Sequence, residues 1–220
     1  MAVSTKRART AVRVAPADWV GALEGINPSR LAAAIAACIT VLAALGAANI
    51  HWPHQFKPFN LDHEFNFPAT FSALLDLSAA VGAEALRRRA GKNVLLGLVV
   101  LFAFMAFDEF SALHEHLERV TGIDWLKLYI PIFIFAGVAW VAVLNQIRER
   151  RFWICMWGGA ACWVIAQFLE LVEWDGTVKQ PHYYIEMAGE EVLEMIGSAL
   201  FLLGMLTALR AWERRSEAPF

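Results

Sequence analysis

The 220 residues are 58% hydrophobic and only 18% charged, with a formal net charge of −2 and a mean hydropathy of +0.47. A soluble domain usually carries about a quarter charged residues, so this composition points to a chain whose solvent is lipid. The basic residues sit in short clusters between apolar runs, which excludes a nucleic-acid surface.

Residues 1–30 form a basic arm (Lys6, Arg7, Arg9, Arg13) interrupted by Pro16 and Pro28. The first apolar run, Leu31 to Ile50, is as long as a full span and has no cleavage site after it, so it reads as an uncleaved first helix. A connection from His51 to Phe67, rich in His, Pro and Asn, leads to further runs at 68–86, 93–116, 127–146, 152–173 and 189–210. Each run supplies roughly 18–22 residues, enough for a hydrocarbon core of about 30 Å. The predicted fold is therefore all-α: a polytopic bundle of about six transmembrane helices over 31–212, with a short tail at 213–220.

Lysine and arginine placement orients the bundle. With six spans, the arm, Arg87–Arg88–Arg89 with Lys92, Arg148 with Arg150 and Arg151, and Arg210 with Arg214 and Arg215 fall on one side. The other side keeps only Lys57, Arg119, Lys127 and Lys179. The positive-inside rule then places both termini in the cytoplasm and the chain in the inner (plasma) membrane. Cys38, Cys155 and Cys162 all lie inside apolar runs and read as buried structural thiols, with no disulfide framework.

On this topology three acidic segments reach the extracytoplasmic face. The third helix ends in Phe107-Asp108-Glu109 … Leu113-His114-Glu115-His116-Leu117-Glu118, and the fifth ends in Glu170-Leu171-Val172-Glu173. The sixth opens with Glu186 … Glu190-Glu191-Val192-Leu193-Glu194. On one continuous helix, Asp108 and Glu115 share a stripe, flanked by Glu118, Glu109 and His116. Asp108, Glu109 and Glu194 are expected one to two turns below the edge of the hydrocarbon, with Asp76 of helix two at similar depth. Carboxylates at that depth are costly alone and face the protein interior with partners. Nearby basic residues are too few to neutralise them, so protons or a bound cation must.

Any one of these acids, taken singly, reads as a solvated helix end, and those opening helix six also suit the helix dipole. Together, with histidines among them, they suggest one or two transition-metal ions (iron, zinc, manganese or copper). The expected ligands are Asp108, His114, Glu115, Glu170, Glu190 and Glu194, with Glu109 and Glu191 as general acid–base groups. Asp76, His116, Glu118, Glu173 and Glu186 are further candidates, and His182 or the loop residues His51, His54 and His63 could complete or cap a site. The fourth helix, with Pro131 and no internal acid, reads as scaffold.

The segments Asp108-Glu109 … Leu113-His114-Glu115 and Glu190-Glu191-Val192-Leu193-Glu194 resemble motifs of small, largely uncharacterised bacterial multi-pass membrane proteins. That resemblance implies the fold and no activity. The His-Glu-x-x-His, Gly-x-Ser-x-Gly and repeated Glu-x-x-His signatures are absent. The functional expectation is a membrane metalloprotein acting as an oxidoreductase or hydrolase on a lipid-soluble or interfacial substrate. Its partners would be the bilayer and a hydrophobic small molecule or other membrane subunits. A divalent-cation or proton transporter, and a non-catalytic subunit with protonated structural acids, are the alternatives.

Overall fold

A computed structural model describes residues 19–53, 55–61, 65–175 and 178–216. The loop histidines His54 and His63, and the arm before Trp19, lie outside the described residues. The helices are α1 (Trp19–Glu24), α2 (Pro28–His51), α3 (Phe67–Ala90), α4 (Leu96–Ser111), α5 (Leu113–Thr121), α6 (Trp125–Leu128), α7 (Ile130–Val143), α8 (Arg150–Glu173) and α9 (Tyr183–Ser216). A small antiparallel hairpin, β1 (Trp174–Asp175) and β2 (Val178–Lys179), joins α8 to α9 with Trp174 opposite Lys179. Five helices, α2, α3, α4 with its preceding turn, α8 and α9, are long and apolar enough to cross a membrane; α7 is a shorter apolar helix.

Local chemistry sets the helix ends. Asn27 begins α2, its Oδ1 accepting from the backbone N–H groups of Ser29 (3.0 Å) and Arg30 (3.3 Å), with Pro28 in the first turn. Asn66 does the same for α3 through Ala69 N–H at 2.7 Å. Gly91 ends that helix at φ +64°, a left-handed conformation that Gly adopts without strain.

The bundle is built around α3 and α9, the two most buried spans. Small residues allow close approach, as lipid-embedded helices require. A Cβ added at Gly82 of α3 would stand 2.9 Å from Met205 Cβ on α9. On the other flank, α8 crosses α9 at a glycine pair: a Cβ at Gly159 would lie 2.9 Å from the Gly197 carbonyl oxygen. Helix α4 packs on α3, α7 on α4, and α8 chiefly on α9. Aromatic rings bridge the remaining gap, with Trp140 of α7 at 5.5 Å from Trp157 of α8 and Phe102 of α4 at 5.0 Å from Phe201 of α9. The outward faces are apolar, Ile134, Val138 and Val141 on α7 and Val164 and Phe168 on α8 being exposed, as expected of a lipid-facing surface.

Arginines meet at one end of the bundle. Glu24, only 5% exposed, is bidentate to Arg89 at 2.6 and 2.7 Å, and Glu84 pairs with Arg87 and Arg88, each at 2.6 Å. Lys92 donates to the Gln146 carbonyl and side chain at 3.0 Å and lies over the Trp212 ring.

Two elements depart from the sequence expectation. The run 93–116 is not one helix: Ala112 at φ +48° separates α4 from α5. Helix α9 runs over 34 residues, about 50 Å, and continues past residue 212 into the expected tail.

Candidate carboxylate site

The break at Ala112 shapes the site. Asp108, near the end of α4, reaches forward so that its Oδ1 accepts the His114 backbone N–H at 3.1 Å, capping α5 in the absence of a side-chain cap at Ala112. Its Oδ2 lies 3.2 Å from His114 Nδ1, and the Tyr129 hydroxyl donates to Oδ1 at 2.5 Å. Asp108 is thereby committed to His114 and Tyr129. The expected stripe shared by Asp108 and Glu115 does not form, because it required one uninterrupted helix. Glu115, His116 and Glu118 are exposed, and Glu115 pairs with Arg119 at 3.3 Å.

Glu109 turns inward instead. It is 9% exposed, and one of its oxygens joins one from Glu191 and one from Glu194 of α9 in a group whose members all lie within 4.8 Å of one another. Glu194 is 8% exposed and accepts from Gln167 Nε2 of α8 at 3.3 Å. Glu190 and Glu170 interact electrostatically with Glu194, and the Glu190 carboxyl is hydrogen-bonded to that of the buried Glu173. Glu170 accepts from Trp125 Nε1 at 2.9 Å, and the Trp125 ring packs against both His114 and Tyr129.

The acidic segments of α4, α8 and α9 thus meet at the end of the bundle opposite the arginines. Of the expected residues, the structure gathers Glu109, Glu170, Glu173, Glu190, Glu191 and Glu194. Asp108 and His114 form an adjoining polar group. Glu186 is half-buried in the first turn of α9, while His51 and His182 are exposed. Asp76 lies apart, facing Ser198. The residues that sequence reasoning did not place in the site are Trp125, Tyr129 and Gln167. Tyr129 lies inside the run 127–146 taken as scaffold and Trp125 just before it, so that run supplies one of the polar anchors.

The inner group is an oxygen-only donor set. Two oxygens on opposite sides of a calcium ion stand about 4.6–5.2 Å apart, so three within 4.8 Å match the coordination sphere of one hard divalent cation. No nitrogen donor belongs to that group. A set of this kind suits manganese, magnesium or calcium better than zinc or copper.

A family defined as a domain of unknown function, DUF8692, matches residues 31–209. The chain belongs to the DUF8692 family. The match begins within α2 and ends within α9, so every residue of the carboxylate cluster falls inside the family's domain. No curated protein and no solved structure matches the chain.

Proposed function

We propose that this DUF8692 chain is a six-span inner-membrane metalloprotein, with both termini cytoplasmic and its carboxylates at the extracytoplasmic face. Five apolar spans, together with α7 as the sixth, support the count, and the arginine-rich end supports the orientation under the positive-inside rule. The observation that carries the metal reading is the convergence of Glu109, Glu191 and Glu194 to within 4.8 Å in a nearly buried position. In this reading those three hold a divalent cation, manganese or iron being the redox-active choices that accept an all-oxygen set. Glu170 and Glu190 extend the site toward a second ion.

The reading extends to a metal-dependent enzyme, oxidoreductase or hydrolase, acting on a lipid-soluble substrate. His114, held by Asp108 beside Glu170, is the adjoining group able to take and return a proton. Transport is less well supported. Between the cluster and the opposite end of the bundle, α4, α8 and α9 carry no acid and α3 carries only Asp76, and Phe102, Met156 and Met205 fill the core fully buried, so a continuous path is thin.

Elemental analysis of protein purified in detergent without chelators tests the proposal, beside a Glu191→Gln/Glu194→Gln variant. One or two equivalents of a divalent metal, lost in the variant, are expected. Metal-free wild-type protein that also fails to take up added Mn2+ would refute the reading and favour a structural cluster held by shared protons.

A further inference from the structure

Asp76 stands outside the cluster just described. The electrostatic partners of Glu194 are Glu109, Glu191, Glu190 and Glu170, and Asp76 is not among them. Asp76 lies nine residues into α3, about 13 Å along the helix from Phe67. It is 0% exposed, and neither of its carboxyl oxygens is hydrogen-bonded among the described residues. It faces the Ser198 hydroxyl of α9, four residues beyond Glu194 and about 6 Å further along the helix. Ser72 lies one turn before Asp76 on the same face of α3. Ser72 and Ser198 are also 0% exposed with hydroxyls that make no hydrogen bond.

The two serines are exceptional in this chain. Thr40, Thr70, Ser78, Ser111, Thr121 and Thr207 all donate to the carbonyl four residues earlier, the ordinary arrangement for a hydroxyl in a helix. Among the described hydroxyls beyond the first turn of a helix, only Ser72 and Ser198 forgo that bond, and they are the two that flank Asp76.

Counter-charge is missing at this level. No lysine or arginine occurs in α2 between Arg30 and His51, in α3 before Arg87, in α4, or in α9 between Glu194 and Arg210. With Asp76 ionised, its carboxylate, two neutral hydroxyl oxygens and no basic side chain make a site of net charge −1 with hard oxygen ligands only. A divalent ion would leave an uncompensated positive charge in an apolar core, whereas a monovalent ion closes the balance.

We propose that Asp76, Ser72 and Ser198 form a monovalent-cation site at the α3–α9 interface, and that it takes Na+. This site is separate from the outer carboxylates and does not depend on their binding a metal.

Binding of 22Na+ to the full-length, detergent-purified protein tests it, with thermal unfolding compared in NaCl and choline chloride at equal ionic strength. One saturable equivalent of Na+ is expected, with a Tm several degrees higher in sodium. Asp76→Asn and the Ser72→Ala/Ser198→Ala double variant should abolish both effects, while Ser78→Ala, at an exposed serine of the same helix, should keep them. Absence of saturable 22Na+ binding, with equal Tm in the two salts, would overturn the proposal and leave Asp76 as a neutral carboxyl between helices. Should Asp76→Asn fail to fold, the double serine variant decides: sodium binding unchanged in it refutes the site.

Discussion

Replacing Glu194 by Gln separates the electrostatic cost of the outer cluster from its use as a ligand set. The three carboxylate oxygens of Glu109, Glu191 and Glu194 lie within 4.8 Å of one another. At an effective dielectric constant of about 20, each ionised pair at that distance repels by roughly 3.5 kcal/mol, or about 10 kcal/mol for three pairs. That equals the folding free energy of a typical domain, so the charges must be offset by protons or a cation. The substituted amide would keep the side-chain volume and an oxygen to accept from Gln167, yet remove two of the three repulsions. In protein stripped with chelator at alkaline pH, Glu194→Gln should therefore raise stability. Proton uptake by the wild type shares the relief, so a gain of at least about 1 kcal/mol is expected, or roughly 2–4 °C in Tm. In saturating Mn2+ the sign should reverse, because the wild type regains a charged ligand that the variant lacks. Thermal unfolding in both conditions reads this directly. A change of the same sign with and without Mn2+ would refute the argument.

Three other perturbations probe the surrounding structure. Gly197→Ala would place a Cβ 2.6 Å from Trp163 Cδ1 and 3.1 Å from the Gly159 carbonyl oxygen, and should cost about 1–3 kcal/mol in thermal unfolding; an unchanged Tm would deny the close α8–α9 crossing. Arg89→Met leaves the buried Glu24 carboxylate without its bidentate partner. It should cost about 1–3 kcal/mol and expose α1 to limited proteolysis, with Glu24→Gln added in the same chain restoring protection. Trp125→Phe removes the donor to Glu170 while keeping an aromatic ring, and under the proposed metal reading should weaken Mn2+ binding by about 10–100-fold in a titration; unaltered affinity would detach Glu170 from the proposed site.

The apolar runs made the helices legible, because a span must be long and apolar whatever it packs against. The polar residues at the ends of three runs likewise placed the acids of α4, α8 and α9 at one face, but that they touch is legible only in the structure. Their side-chain directions were not legible. The helix break falls at Ala112, with no Gly or Pro to mark it, and its cause is the Asp108 carboxylate capping α5 from six residues upstream. That single bond turns Asp108 toward His114 and Tyr129, leaves Glu115 on the surface, and makes Glu109 the α4 member of the buried group. Ser72 and Ser198 were equally invisible, since a serine in a membrane helix ordinarily bonds its own backbone. Only the facing of α3 and α9 distinguishes them.

The glycine crossing of α8 over α9 has a mechanical consequence. Gly159 lies eleven residues from Glu170, about 16 Å along the helix, and besides α9 it is the shorter α7 that reaches α8, through Trp140 against Trp153 and Trp157. A tilt of α8 by about 10° around that crossing would swing its carboxyl end by about 3 Å, while Glu109 and Glu194 stay fixed on the α3–α4–α9 body. Such a lever would carry Gln167 and Glu170 toward or away from the carboxylate group while leaving the mutual spacing of Glu109, Glu191 and Glu194 unchanged.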